Sequence, residues 1–474
     1  MSLSPTRREV GATLRLAVPL VGAQLAQMSM SFVDVVMVGR LGTGALAAAV
    51  LGSTTFFTLA LLCIGVILAV NPTVAQASGA GDDAEVGRAA RQGLWLALIL
   101  GVPLTVALGW GEEALLAVGQ EPETAALAGD YLAAIRWGMV PNLMFTAFRG
   151  FYEGLGRARP VLLATLVGVG VNVLANDVLM YGRWGLPALG LEGTGWSSTI
   201  VMTVMPLALA LGVRASPELR RFGMLSGLRR PDPEMLGRLV RLGVPIGLTF
   251  GLEAGLFSAA TLLVGLFGET TLAAHQIALN AASFTFMVPL GIGMAATVRV
   301  GQLIGSGDPE GAQRAGFVAV ALGAAFMACS ALVLRFQPGW IIALYAGSEP
   351  DPAMATQATT LLGIAAVFQL VDGIQATAAG ALRGYKDTRV PMLIGAVAYW
   401  GIGLGVGAGF AFGLDQGASG LWWGLTAGLA AAAVLLTVRF RRLGRSISGP
   451  LAPGEDPADD RPLADAPPEA HVSP

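Results

Sequence analysis

The chain has 474 residues, 54% of them hydrophobic and only 13% charged, with a formal net charge of −2. Soluble domains carry about 25% charged residues, so this composition excludes an ordinary water-soluble protein. The net charge itself says little, because acids and bases are segregated along the chain.

Arg7 and Arg8 precede an apolar segment that superficially resembles a signal peptide. It runs too long and lacks a small-residue cleavage site, so it reads as a first transmembrane helix. Turns, prolines and charges then divide the apolar runs into twelve segments, at 12–38, 48–75, 91–111, 125–148, 160–181, 190–213, 238–264, 272–299, 313–335, 355–382, 390–412 and 418–438. Each is long enough for a hydrocarbon core of about 30 Å. The 65 glycines suit helices whose backbones approach closely.

With the N-terminus inside, basic residues collect on one side: Arg88 and Arg91, then Arg149, Arg157 and Arg159, then the Arg-rich stretch from Arg214 to Arg241. Arg299 and Arg314, Arg383 with Lys386 and Arg389, and Arg439 to Arg445 follow the same bias. Only Arg40, Arg183 and Arg335 fall outside, where Glu112, Glu113, Glu121 and Glu123 gather. The positive-inside rule places both termini in the cytoplasm. A polar loop at 214–237 separates an N-terminal six-helix bundle, 1–213, from a C-terminal one, 238–445. Residues 446–474 are rich in Pro, Ala and Asp and read as a disordered tail, where His471 has no expected role.

The two halves repeat. Leu14-Arg15-Leu16-Ala17-Val18-Pro19 matches Val240-Arg241-Leu242-Gly243-Val244-Pro245 at an offset of 226. The same offset pairs Gly42 with Gly268, Gln76 with Gln302, Gly79 with Gly305, Gly81 with Gly307 and Asp82 with Asp308. Six spans per half means that both halves enter the membrane in the same direction. Such a parallel repeat encloses a central cleft, as in alternating-access transporters.

Three acids sit deep within spans: Asp34, Glu253 and Asp372. A carboxylate at the centre of a bilayer costs about 2.5–3.5 kcal/mol on insertion scales, and such residues mark ion or proton pathways. Asp34 either carries such an ion or caps a helix end at the interface. The repeat does not duplicate these acids: Asp34 aligns with Ala260, and Glu253 with Gln27. Asn172 and Asn176, spaced i, i+4, are candidate partners for Asp34, and Asp177 is a secondary candidate. Thr199 and Thr203 either face Asp34 as well or serve as polar glue between helices. Gln276 and Asn280, beside His275, are placed to complete an oxygen-rich site with Glu253 and Asp372, and Phe368 shares a face with Asp372. Arg136 is the one base deep within a span; it either snorkels outward or pairs with a cavity acid.

Cys63 and Cys329 are isolated in apolar runs, and the two histidines are too far apart for a metal site. No phosphate-binding loop and no nucleophile with a partner base appears, so no enzyme activity, no cofactor and no nucleic-acid partner is expected. An ion gradient is the remaining energy source.

Pro19, Phe32-Val33-Asp34, Ala273-Ala274-His275-Gln276-Ile277-Ala278-Leu279-Asn280 and Ala379-Gly380-Ala381-Leu382-Arg383-Gly384-Tyr385-Lys386-Asp387 resemble the multidrug and toxic compound extrusion transporters, most closely their bacterial branch. The resemblance implies two six-helix bundles around a cleft in the bacterial cytoplasmic membrane. It further implies export of organic cations and drugs in exchange for Na⁺ or H⁺. It makes Asp34, with Asn172 and Asn176, the N-terminal site, and Glu253 with Asp372 a C-terminal site able to hold Na⁺. That branch often has a tyrosine where this chain has Phe368, so the phenolic oxygen is missing while an aromatic face remains for a cation–π contact. A monomer containing an internal pseudo-dimer, surrounded by membrane lipid, is the simplest assembly. The readings weighed against efflux are a lipid-linked precursor flippase, which would want a basic cleft, and an ion channel.

Overall fold

The computed structural model describes residues 4–226, 230–347 and 350–448. The tail from 449 onward, with His471, lies outside the described residues. Among the described residues twelve long helices follow one another, with short ones between some of them: α1 Pro5–Gly39, α2 Thr43–Gly79, α3 Asp83–Ala107, α4 122–154, α5 Ala158–Tyr181 and α6 Gly190–Ala215. The second half continues with α7 Pro233–Gly265, α8 Glu269–Gly305, α9 Pro309–Phe336, α10 Pro352–Gly384, α11 Arg389–Gly413 and α12 Gly417–Ser448. Eleven are long and apolar enough to cross a membrane. The exception, α4, is interrupted by a 3₁₀ turn at Arg136–Gly138 and carries Arg136, Asn142 and Arg149. The protein is a multi-pass membrane protein.

Local sequence sets the helix starts. Asp82, Asp232, Asp308 and Asp351 each accept a hydrogen bond from the backbone N–H three residues on, and prolines fill the first turn of α1, α7, α9 and α10. Both devices satisfy or dispense with orphan N–H groups. The repeat is visible in these caps. Gly42 and Gly268 precede α2 and α8 with φ of 115° and 101°, and Gly81 and Gly307 turn at 73° and 76° just before the paired aspartates. Only glycine adopts these φ values without cost.

The helices outrun the apolar windows. α4 continues to Gly154, α8 to Gly305 and α10 to Gly384, so Arg149 and Arg383, which follow the predicted segments, lie inside helices, and Arg299 lies well before the end of its own. The helix continues through each charge because a partner is supplied: Glu153 for Arg149, Glu9 for Arg299, and the Phe250 ring for Arg383. The polar linker is correspondingly shorter than 214–237, running from the end of α6 at Ala215 to Pro233 with a short helix, Pro217–Arg220, inside it. Arg88 of α3 binds Asp232 at 2.7 and 3.0 Å across the halves and holds that carboxyl below the usual aspartate range.

Each half packs its own core, around Phe56, Leu132, Phe151 and Tyr152 in the first and Phe368, Tyr399 and Trp422 in the second. The bundles meet toward the end that carries the α1 N-terminus. There Gly65 of α2 lies against the Gly247 backbone of α7, leaving no room for a Cβ. Gln76 donates to the Gly384 carbonyl at 2.8 Å, and its repeat mate Gln302 donates to the Gly154 carbonyl at 3.0 Å. Glu9 and Arg299 add an ion pair across the same seam.

Candidate functional site

Asp34 is not a cap: it lies within α1, five residues before its end, with its carboxylate turned toward α5. There Oδ1 accepts hydrogen bonds from Asn172 Nδ2 at 2.9 Å and Asn176 Nδ2 at 2.6 Å. The i, i+4 spacing puts both amides on one face of α5. Charge-assisted bonds of this kind are worth about 1.5–3 kcal/mol each, enough to offset much of the cost of the buried carboxylate. The amide oxygens of both asparagines are buried without a partner.

Asp34 opens onto a cavity of about 540 Å³ walled by apolar and aromatic side chains, among them Phe57, Leu61, Phe145, Met202 and Met205. Thr194, Ser198 and Tyr131 supply further polar lining. Thr199 and Thr203 do not face Asp34. Thr199 donates to the Ala134 carbonyl and so ties α6 to α4, and Thr203 donates to the Thr199 carbonyl of its own helix, both at 2.8 Å. Asp177 pairs with Arg183 at 3.1 Å, away from the cavity.

Arg149, which the charge pattern groups with the inner basic residues, lies at the other end of this cavity. Arg149 Nε donates to Glu153 at 2.6 Å, and its terminal nitrogens donate to Gln24 at 2.8 Å and Gln27 at 3.4 Å. Asn71 donates to the remaining Glu153 oxygen at 2.8 Å. The signal was present in the sequence as opposite charges at i, i+4. The pair is neutral overall, so Asp34 remains the cavity's uncompensated charge.

The second focus lies between α7, α10 and α11. Glu253 lines a small cavity of about 40 Å³ together with Phe250, Gln375, Arg383 and Thr388. Asp372 is 4% exposed and within electrostatic reach of Glu253, and its Oδ1 has no hydrogen-bond partner. Gln375, one turn further along α10, donates from Nε2 to the Tyr399 hydroxyl at 2.5 Å and leaves its own Oε1 unpartnered. Tyr399 is buried and within reach of both carboxylates. It sits in a π-helical stretch of α11, 396–404, and the adjacent Trp400 anchors that stretch by donating to the Leu252 carbonyl at 3.1 Å. Wide turns of this kind are frequent at functional sites.

The remaining residues expected here lie elsewhere. Phe368 is 2% exposed, packed edge-on to Phe257 and Trp422, so its ring is core and offers no open face to a cation. His275 is held by Thr261 at 3.0 Å and by the Trp422 indole at 3.1 Å. Gln276 is half-buried and Asn280 exposed, and neither lines the Asp34 or the Glu253 cavity. The phenol that took their place, Tyr399, carries no flag in sequence because it lies in an otherwise apolar run.

A protein-family model described as MatE matches residues 19–178 and again residues 245–408. The two matches start 226 residues apart (245 minus 19), the offset of the internal repeat. The multidrug resistance protein NorM of Burkholderia vietnamiensis is 45% identical over 432 residues, covering 90% of this chain and 93% of the relative. A probable multidrug resistance protein NorM of Rhizobium meliloti (strain 1021) is 44% identical over 440 residues, covering 92% and 94%. Among solved structures, a eukaryotic MATE transporter superposes with a TM-score of 0.84 at 18% identity, over 94% of this chain and 99% of that one. An outward-facing multidrug resistance MATE transporter gives 0.84 at 20% identity, over 93% and 97%. These structural matches establish the shared fold.

Proposed function

The chain belongs to the MatE family, and on that premise we propose that it is a secondary multidrug exporter of a bacterial cytoplasmic membrane, exchanging amphipathic organic cations for Na⁺ or H⁺. The observation that carries this reading is the Asp34 carboxylate, held by two asparagines at the edge of a large apolar cavity whose other charges cancel. A flat aromatic cation gains from both features, burying its rings against the walls and its charge against the carboxylate. The NorM names of the relatives point the same way.

With the basic end in the cytoplasm, the seam through Gly65, Gln76, Gln302 and the Glu9–Arg299 pair lies on the cytoplasmic side. The described conformation then has its cytoplasmic end shut. Export requires that drug and ion favour opposite states, since a ligand that binds both states equally shifts nothing. Glu253, Asp372, Gln375 and Tyr399 would hold the coupling ion. The buried, unpartnered oxygens of Asp372 and Gln375 fit a small hard cation, which takes oxygen ligands, and a proton shared by the two carboxylates fits as well. Charge entering this site neutralises a buried carboxylate pair, and that is the work an ion gradient can supply.

The test is efflux from vesicles loaded with ethidium or norfloxacin under separately imposed Na⁺ and H⁺ gradients. Efflux driven by one gradient and abolished or sharply reduced in Asp34→Asn is the expected result. Undiminished efflux in that variant would overturn the assignment, and a steady ionic conductance without countertransport would favour a channel.

A further inference from the structure

Arg136 has no part in either focus. It lies in the 3₁₀ turn that interrupts α4, and it does not line the Asp34 cavity. Its side chain enters a separate groove of about 560 Å³, formed with Val102, Val106, Trp110, Trp137 and Val140. That groove is on the outside of the N-terminal bundle: Trp110 is 60% and Trp137 54% exposed. The guanidinium reaches Gly109, where a Cβ would overlap its Nη1, and lies over the Trp137 ring at 5.2 Å. Among the described residues no acid pairs with it, and its Nε is buried with no acceptor.

We infer that this groove is a binding site for an anionic phospholipid. Its phosphodiester would be held by Arg136 and one acyl chain would lie along Val102, Val106 and Val140. An unpaired guanidinium within a transmembrane helix is costly, and such residues reach toward the interface to find a counter-charge. Two exposed tryptophans flanking it mark the headgroup level, where indole rings concentrate. A short helix, Gly111–Ala117, carrying exposed Glu112 and Glu113, begins beside Trp110 and fits the same boundary. Phosphate matches the guanidinium fork, whose Nε still lacks an acceptor. The site offers one positive charge. An anionic lipid leaves it neutral, whereas a zwitterionic lipid brings a second cation for which Arg136 has no use.

The experiment is native mass spectrometry of the full-length protein titrated with phosphatidylglycerol, with phosphatidylcholine, and with inorganic phosphate. Wild type should retain one phosphatidylglycerol about tenfold more tightly than phosphatidylcholine, a 1.4 kcal/mol difference. Millimolar inorganic phosphate should not displace it. Arg136→Gln, which keeps the groove, and Val140→Trp, which keeps the charge and fills the groove, should each remove that preference, while Arg136→Lys should retain most of it. Equal binding of the two lipids by wild type, displacement by inorganic phosphate, or an unchanged preference in Arg136→Gln each overturns the proposal. The wild-type titrations decide the matter even if a variant fails to fold.

Discussion

Arg299 holds Glu9 through two hydrogen bonds of 2.8 Å each, one from Nε and one from Nη2, joining α8 to α1 across the bundle seam. The fork geometry is the strong form of this interaction, and both side chains are largely buried, at 22% and 11% exposure. Each bundle contributes one partner, so the pair is stable only while this end stays shut. We predict that Arg299→Gln lowers the stability of the closed seam by about 1–2 kcal/mol, roughly a tenfold population shift toward opening at the basic end. Spin labels on α1 and α8 near this pair should report a new longer distance, and an unaltered distance distribution in the variant would count against the seam as a gate.

The two asparagines differ from the two threonines in what they serve. Asn172→Leu and Asn176→Leu each remove one bond to Asp34, and efflux should fall about tenfold or more in each. Thr203→Val removes only a bond to a carbonyl of its own helix and should leave efflux within about twofold. Equal losses across the three variants would show that Asp34 is not the point of action.

At the second focus the contrast is between two aromatic positions. Tyr399→Phe takes away the acceptor of Gln375 and, at the proposed ion site, one oxygen, so the ion concentration giving half-maximal efflux should rise by about tenfold. Phe368→Tyr should not compensate. Its hydroxyl would enter a packed aromatic cluster and cost about 1–3 kcal/mol of stability without reaching the ion. Restored ion affinity in the double variant Tyr399→Phe/Phe368→Tyr would refute this division of roles.

Asp232 links stability to pH. Its carboxyl is held below the unfolded value of about 3.9, chiefly by the hydrogen bonds from Arg88, so it stabilises the fold fully above about pH 4. That contribution disappears as the pH falls through the lower, folded value. Asp232→Asn keeps the cap on α7 but loses the charge, so the Tm gap between it and wild type should be full near neutral pH and close in acid. A gap that widened on acidification would reverse the sign.

The architecture was legible because lipid enforces it. Backbone groups in hydrocarbon must bond internally, so apolar runs become helices, and basic loops sort their ends. The Asp34–Asn172–Asn176 cluster was legible too, the i, i+4 spacing putting both amides on one face and the family resemblance joining them to Asp34. What escaped depends on rotation about helix axes and on pairing between distant helices. Thr199 and Asn172 look alike in sequence, yet one bonds a neighbouring backbone and the other a carboxylate. Arg149 reads as a loop charge until Glu153, Gln24 and Gln27 surround it. Tyr399 becomes polar in function only because a π-helical stretch brings it to the two acids, and no local pattern announces that turn.

Phe250 lines both the cavity of Asp34 and the cavity of Glu253, with the Arg383 guanidinium 5.7 Å from its ring. Leu290 lines both as well, so the two chambers share a thin partition made of the Phe250 and Leu290 side chains. Space is conserved across such a wall: a tilt of the ring that admits a larger guest on one side narrows the room on the other. For a drug and an ion held on either side as proposed above, the coupling runs through volume as well as charge. Phe250→Ala should blunt that trade in both directions, raising drug binding while loosening its dependence on the ion.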